Sequence, residues 1–265
     1  NTPESTALVM NLNNMRKQMC GELVSVTSTN TMRLSCVDAY LPQISNLLDS
    51  LNQQPPVALE KQLIFEWVGA FSPNSLIYNQ SSEIIFELGM VLHTKAILHY
   101  MVAYDMLQGD IISNVTLAGQ NLRIAAGIMR HLAVVLLPKW LGANGKAGRP
   151  LELTEEVCMA YEQLFTASAQ QMAVVKAMTK VGGTPVALLT KLVLGVSSIV
   201  TGNYDPNHLQ VSVKNHYSYM RELFLAIAYK YQADSHSAKT EVGIAIAFAK
   251  RSQVKAMYMN VLCVV

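Results

Sequence analysis

The chain has 265 residues, 51% of them hydrophobic and only 14% charged, against roughly 25% charged in an ordinary soluble domain. Twenty basic and 18 acidic residues leave a net charge of +2, and mean hydropathy is +0.24. This excludes a disordered chain, which would be charge-rich and apolar-poor. It also gives no footing for nucleic acid, because basic residues form no run and do not interleave with aromatics.

Taken in chain order, helical periodicity dominates. Residues 7–26 carry a helical pattern that fades into Val24-Ser-Val-Thr-Ser-Thr. Residues 31–52 form a second helix, with Leu34, Val37, Leu41, Ile44, Leu47, Leu48 and Leu51 at steps of three and four. Pro42 predicts a kink or a restart there, because it removes a backbone donor. Gln53-Gln-Pro-Pro is punctuation, Leu63-Ile-Phe-Glu-Trp reads as a short strand, and Ser72-Pro-Asn-Ser turns. Two long helices follow at 82–108 and 111–137, the second ended by Pro138. A Gly/Lys/Arg loop occupies 142–150. Thr154 then stands as N-cap to a helix reaching about Lys180, with Glu155 and Glu156 favourably placed in its first turn. Gly182-Gly183 stop that helix, and Pro185 opens an apolar one to about Val200. After the loop Gly202-Asn-Tyr-Asp-Pro-Asn, residues 208–233 and 237–259 form a helical hairpin. The fold class is therefore all-α with at most a small β element, and its short loops imply antiparallel neighbours.

The sequence offers no catalytic constellation. Six histidines (93, 99, 131, 208, 216 and 236) lack ligand spacing, with no HExxH and no recurring Glu-x-x-His. No metal is expected at His93 or His99. The run Gly142-Ala-Asn-Gly-Lys-Ala-Gly follows a helix, and Ala147 stands where a phosphate loop needs Ser or Thr, so no nucleotide is expected there. There is no G-x-S-x-G elbow. Four cysteines (20, 36, 158 and 263) are spread singly, as buried thiols of a reducing compartment are. No signal peptide is expected from the residues read. The best membrane candidate, Pro185 to Val200, holds Lys191 and is shorter than the roughly 20 residues a span needs, so no transmembrane segment is expected. The chain reads as non-enzymatic, without cofactor or metal, a binding or scaffold domain.

Several stretches, in order, carry a family resemblance. They are Phe65-Glu-Trp-Val-Gly-Ala-Phe-Ser; Phe86-Glu-Leu-Gly-Met-Val-Leu-His-Thr-Lys-Ala; Ala125-Ala-Gly-Ile-Met; Leu164-Phe-Thr-Ala-Ser-Ala-Gln-Gln with Lys176-Ala177; and Ala226-x-Ala228-Tyr229 with Val242-Gly-Ile-Ala-Ile-Ala. Together, from about Tyr40 to Lys255, they resemble the Alix-type Bro domain. The resemblance implies a curved array of antiparallel helices around a tetratricopeptide-like core, as one domain over residues 1–265. It implies no enzymatic activity. The implied role is an adaptor in endosomal sorting that receives an amphipathic helix of an ESCRT-III-like subunit in a groove, the helix-in-groove mode.

Carried over residue by residue, the groove's contacts fall on Ala173, Leu188 and Leu192, the last two keeping the family's spacing as Leu188-Leu-Thr-Lys-Leu192. Read on spacing alone, the two leucines also suit a core. The sequence departs from the family at four points. A large aromatic becomes Ala173; an Asp and a Lys that fix the bound helix's polar ends become Ile112 and Thr116; Phe-Asn becomes His93-Thr94; and the family's first strands and its C-terminal return segment have no counterpart. A chain opening on Asn1-Thr-Pro-Glu is expected to be a fragment or a processed form. The implied location is cytoplasmic and endosome-associated, with membrane association through partners, or organellar if a transit peptide has been removed. The low charge and lost anchors leave a second reading open, a Bro-like fold reused as a structural subunit of a large complex.

Overall fold

The computed structural model describes residues 3–53, 64–69, 78–140, 149–200 and 211–262. Among them are eight α-helices and one two-stranded sheet. The helices are α1 (Pro3–Val24), α2 (Asn30–Gln53), α3 (Ile84–Leu107), α4 (Ile111–His131), α5 (Glu155–Met178), α6 (Val186–Val200), α7 (Val211–Ser237) and α8 (Val242–Leu262). The strands β1 (Phe65–Val68) and β2 (Tyr78–Ser81) pair antiparallel, with Phe65 opposite Ser81 and Trp67 opposite Asn79. The expected turn at Ser72, the loop from Gly142 to Gly148 and the loop from Gly202 lie outside the described residues.

Two expectations are corrected. Of the kink or restart expected at Pro42, the restart is corrected, because helix α2 runs unbroken through the proline. The buried stripe Val37, Tyr40 and Ile44 holds both sides of the proline in one register, so packing outweighs one lost backbone bond. Nor does Pro138 end α4 directly. The α-helical ladder gives way to a π-turn at Leu132–Leu136 and a 3-10 turn at Leu137–Lys139, in which the proline falls in the first turn and needs no donor.

That continuous segment, Ile111–Lys139, is also long and apolar enough to cross a membrane by length and composition, unlike Pro185–Val200. Val115, Ala118, Leu122, Ala125, Met129 and Leu132 nevertheless form a buried stripe at helical spacing. Gln120, Arg123 and Arg130 lie on its exposed side. That is the pattern of a core helix in a helical protein.

The chain forms two compact units. One comprises residues 1–102 and 127–158, the other 103–126 and 159–265. In the first, α1 packs on α2. Glu87, fully buried on α3, accepts four hydrogen bonds: from Arg16 Nε at 2.7 Å and Nη2 at 3.2 Å, from the Tyr40 hydroxyl at 3.1 Å, and from the Trp67 indole N–H at 2.6 Å. One carboxylate thereby ties α1, α2 and β1 to α3, with Arg16 also lying 5.6 Å over the Phe65 ring. Trp67 is half-buried, its indole edge turned to Glu87. Burial and the Glu87 charge push the Tyr40 phenol far up. Nearby, the Trp140 indole donates to Glu83, and Arg149 lies 5.0 Å over the Trp140 ring and donates to the Leu137 carbonyl at 2.8 Å.

In the second unit α6 packs on α7 and α7 on α8. The link from α5 to α6 is made by Gly182 and Gly183, both left-handed at φ +86° and +80°. An L side chain is strained in that conformation, so glycines turn the chain back after α5 has already ended at Met178. Thr184 Oγ1 then donates to the Ala177 carbonyl, an orphan of the last turn of α5.

Candidate functional site

The groove residues Ala173, Leu188 and Leu192, with Ile112 and Thr116, all fall in the second unit, on α4, α5 and α6. Helix α5 runs between the other two. On one side it meets α4. A Cβ on Gly119 would stand 3.3 Å from Met172 Cβ, and Lys176 Nζ donates to Thr116 Oγ1 at 3.0 Å. On the other side it meets α6, where Gln170 Nε2 donates to the Leu192 carbonyl at 3.3 Å and also lies 3.3 Å from where a Cβ on Gly195 would be. Residues advance about 100° each around a helix. Position 173 therefore falls between the edge holding Met172 and Lys176 and the edge holding Gln170. Ala173 is exposed there. A methyl group between two ridges leaves a trough.

The ridges are apolar and open. On α6, Leu189, Val193 and Val196 are buried and make the inner face. Leu188 is 48% exposed, and Leu192 is half-buried. Both lie on the edge of α6 turned toward α5, the same edge as Gly195. On α4, Ile112 is 64% exposed and lies one turn before Thr116. Ala173, Leu188 and Leu192 are thus brought to one face, with Ile112 on the neighbouring ridge. Neither Ala173 nor Leu188 is a core residue.

Sequence reading missed one member of this face, Lys176. Ile112 and Thr116, where the resemblance implies an Asp and a Lys, carry no charge. Yet a cation stands beside Thr116 all the same, delivered by α5 one turn beyond Ala173. The signal was available: α4, α6 and the part of α5 beyond Glu162 contain no Asp or Glu, while Lys176, Lys180 and Lys191 fall among them.

Little else among the described residues gathers chemistry. Among the described residues no three His, Cys, Asp or Glu side chains come together as a metal would need. His93 is enclosed in the first unit, where burial pulls its pKa down to about 4. Burial pushes the Cys158 thiol up to about 12, away from nucleophilic chemistry.

Comparison with known proteins gives a consistent result. The family model for the BRO1-like domain matches residues 3–260. A crystal structure of ALIX in complex with the SIVmac239 PYKEVTEDL late domain superposes with a TM-score of 0.77 at 18% identity, over 95% of this chain and 35% of that one. An ALIX BRO1–CHMP4C complex gives 0.75 at 18% identity, over 94% of this chain and 68% of the other. A structure explaining endosomal targeting by the Bro1 domain gives 0.74 at 14%, over 97% and 68%. The chain thus spans about a third of the first of these proteins. No characterised protein sequence matches it.

Proposed function

The chain belongs to the BRO1-like domain family, and on that premise we propose that it is a protein-interaction adaptor that receives an amphipathic helix along α4, α5 and α6. The partner is an ESCRT-III-like subunit, and the setting is endosomal sorting on the cytoplasmic side. Ala173, Leu188 and Leu192 make the apolar contacts. The observation that carries this reading is the exposure of Leu188 beside the trough at Ala173. A soluble protein gains nothing by leaving a large aliphatic side chain beside an open channel, whereas a docked helix would bury it at about 25 cal/mol per Å². A relative of the same fold was solved with CHMP4C, which supports a helical partner of that kind. No enzymatic role is proposed.

A second reading keeps one specific support. Helix α8 packs on α7 but leaves Val242, Ile244, Ile246, Val254 and Met257 exposed. Such a surface suits a structural subunit held in a larger assembly.

One experiment addresses both. A labelled peptide of an ESCRT-III C-terminal helix is titrated into the full chain and its Leu188→Asp and Leu192→Asp variants. The adaptor reading expects more than tenfold weaker binding for Leu188→Asp, because the new carboxylate must be desolvated against the peptide's apolar stripe. Helical circular dichroism and Tm should stay unchanged, since Leu188 contributes little to the core. Leu192→Asp should lose binding and some stability together. No binding by the unmodified chain, with aggregation in isolation, would favour the structural subunit.

A further inference from the structure

The charges around the trough are lysines; the one carboxylate near this face, Asp110, caps the start of α4 and accepts from the Ile112 amide at 3.0 Å and from Ser113. From Gln163 to Val200 the chain has no Asp or Glu, and α4 has none along its whole length. Around the trough stand Lys176 and Lys180 from the α5 side and Lys191 from α6, all exposed. Lys176 differs from the other two in being held. Its ammonium donates to Thr116 Oγ1 at 3.0 Å, which bridges the α5 and α4 ridges one turn beyond Ala173. The hydroxyl is neutral, so the charge stays uncompensated while its position is fixed. The bridge also removes part of the rotamer entropy that a lysine loses on pairing.

Resting on the docking reading above, we propose that Lys176 is a specificity-determining residue of this face, and that the incoming helix is one whose polar flank is acidic. An apolar stripe on the partner would lie over Ala173 and against Leu188. A carboxylate one turn along would then meet Lys176, with Lys180 and Lys191 adding long-range attraction. A partner helix with a basic flank would set like charges against the three lysines and be rejected. Thr116 acts as a positioning residue, setting where the ammonium waits. A membrane surface rich in anionic lipid shares the negative charge but offers no apolar stripe at helical spacing, so Leu188 and the trough favour the helix.

The test uses two synthetic helical peptides with the same leucine stripe, one flanked by Glu and one by Lys, titrated into the full chain. The expected result is binding of the Glu peptide at least about tenfold tighter than the Lys peptide, with the difference shrinking as salt rises. Lys176→Glu should reverse the preference. Thr116→Val should weaken the Glu peptide about two- to threefold, without reversing it. Equal binding of both peptides, or a preference indifferent to Lys176→Glu, would overturn the charge inference and leave the docking face standing. Binding of neither peptide would overturn both. Attachment to phosphatidylcholine–phosphatidylserine vesicles that depends on Lys176, without discrimination between the peptides, would assign the lysines to lipid instead.

Discussion

The surroundings of Glu87 and the face around Ala173 use side chains in opposite ways. At Glu87 a buried carboxylate meets Arg16, Tyr40 and Trp67, and four hydrogen bonds converge on it. At Ala173 the chain places small and aliphatic groups in the open, and holds a lysine on a neutral hydroxyl. The first arrangement is complete in itself and fixes the fold. The second leaves apolar area and positive charge without a counterpart in the helices that form it. A closed polar centre stabilises by being satisfied, while an incomplete face is the one with something left to bind.

Substitutions can sharpen or break that contrast. The largest effect is expected at the closed centre. Glu87→Ala would strand the half-buried Arg16 cation and two donors, costing about 3–5 kcal/mol and lowering Tm by about 10 °C. A melt unchanged by this variant would show that the centre is not what holds α1, α2 and β1 together.

Next comes acid. His93 is held neutral by burial, with its pKa lowered from 6.5 to about 4. Between those values the unfolded chain binds a proton that the folded chain refuses, so stability is full above about pH 6.5 and falls as pH drops toward 4. The loss integrates to about 3 kcal/mol. Urea titrations from pH 7 to pH 4 should show this slope, and His93→Gln should flatten it. An unchanged slope would assign the acid sensitivity elsewhere.

The smallest effect belongs to the open face. Gly183→Ala introduces a Cβ that meets nothing within 4 Å, so only the left-handed backbone is strained. The expected cost is about 1 kcal/mol, with a modest loss of helix-peptide affinity as α6 shifts against α5. A loss of several kcal/mol would mean that the α5–α6 turn is part of the core after all.

Much of the fold was legible because apolar residues at steps of three and four declare a helix wherever one face must be buried. The strand around Phe65 was legible from its apolar, aromatic run. Its partner Tyr78-Asn-Gln-Ser was not, since one exposed aromatic and three polar residues gain their structure only from pairing. The Glu87 centre could not be read either. Its donors come from positions 16, 40 and 67, and no local pattern links residues that far apart. On the face, the spacing of Leu188 and Leu192 was visible, but whether either side chain pointed inward was not; periodicity marks a stripe without saying what covers it. Lys176 was overlooked because its neighbour Thr116 lies 60 positions away.

The two indoles have a practical consequence. The chain has two tryptophans, and both, Trp67 and Trp140, lie in the first unit with their N–H groups on carboxylates. Every photon of tryptophan emission therefore originates there, and none comes from the unit that carries Ala173, Leu188 and Leu192. Helical ellipticity, by contrast, sums over both. A pair of melting curves, one optical signal each, is thus a direct measure of whether the two halves of the chain give way together or in turn.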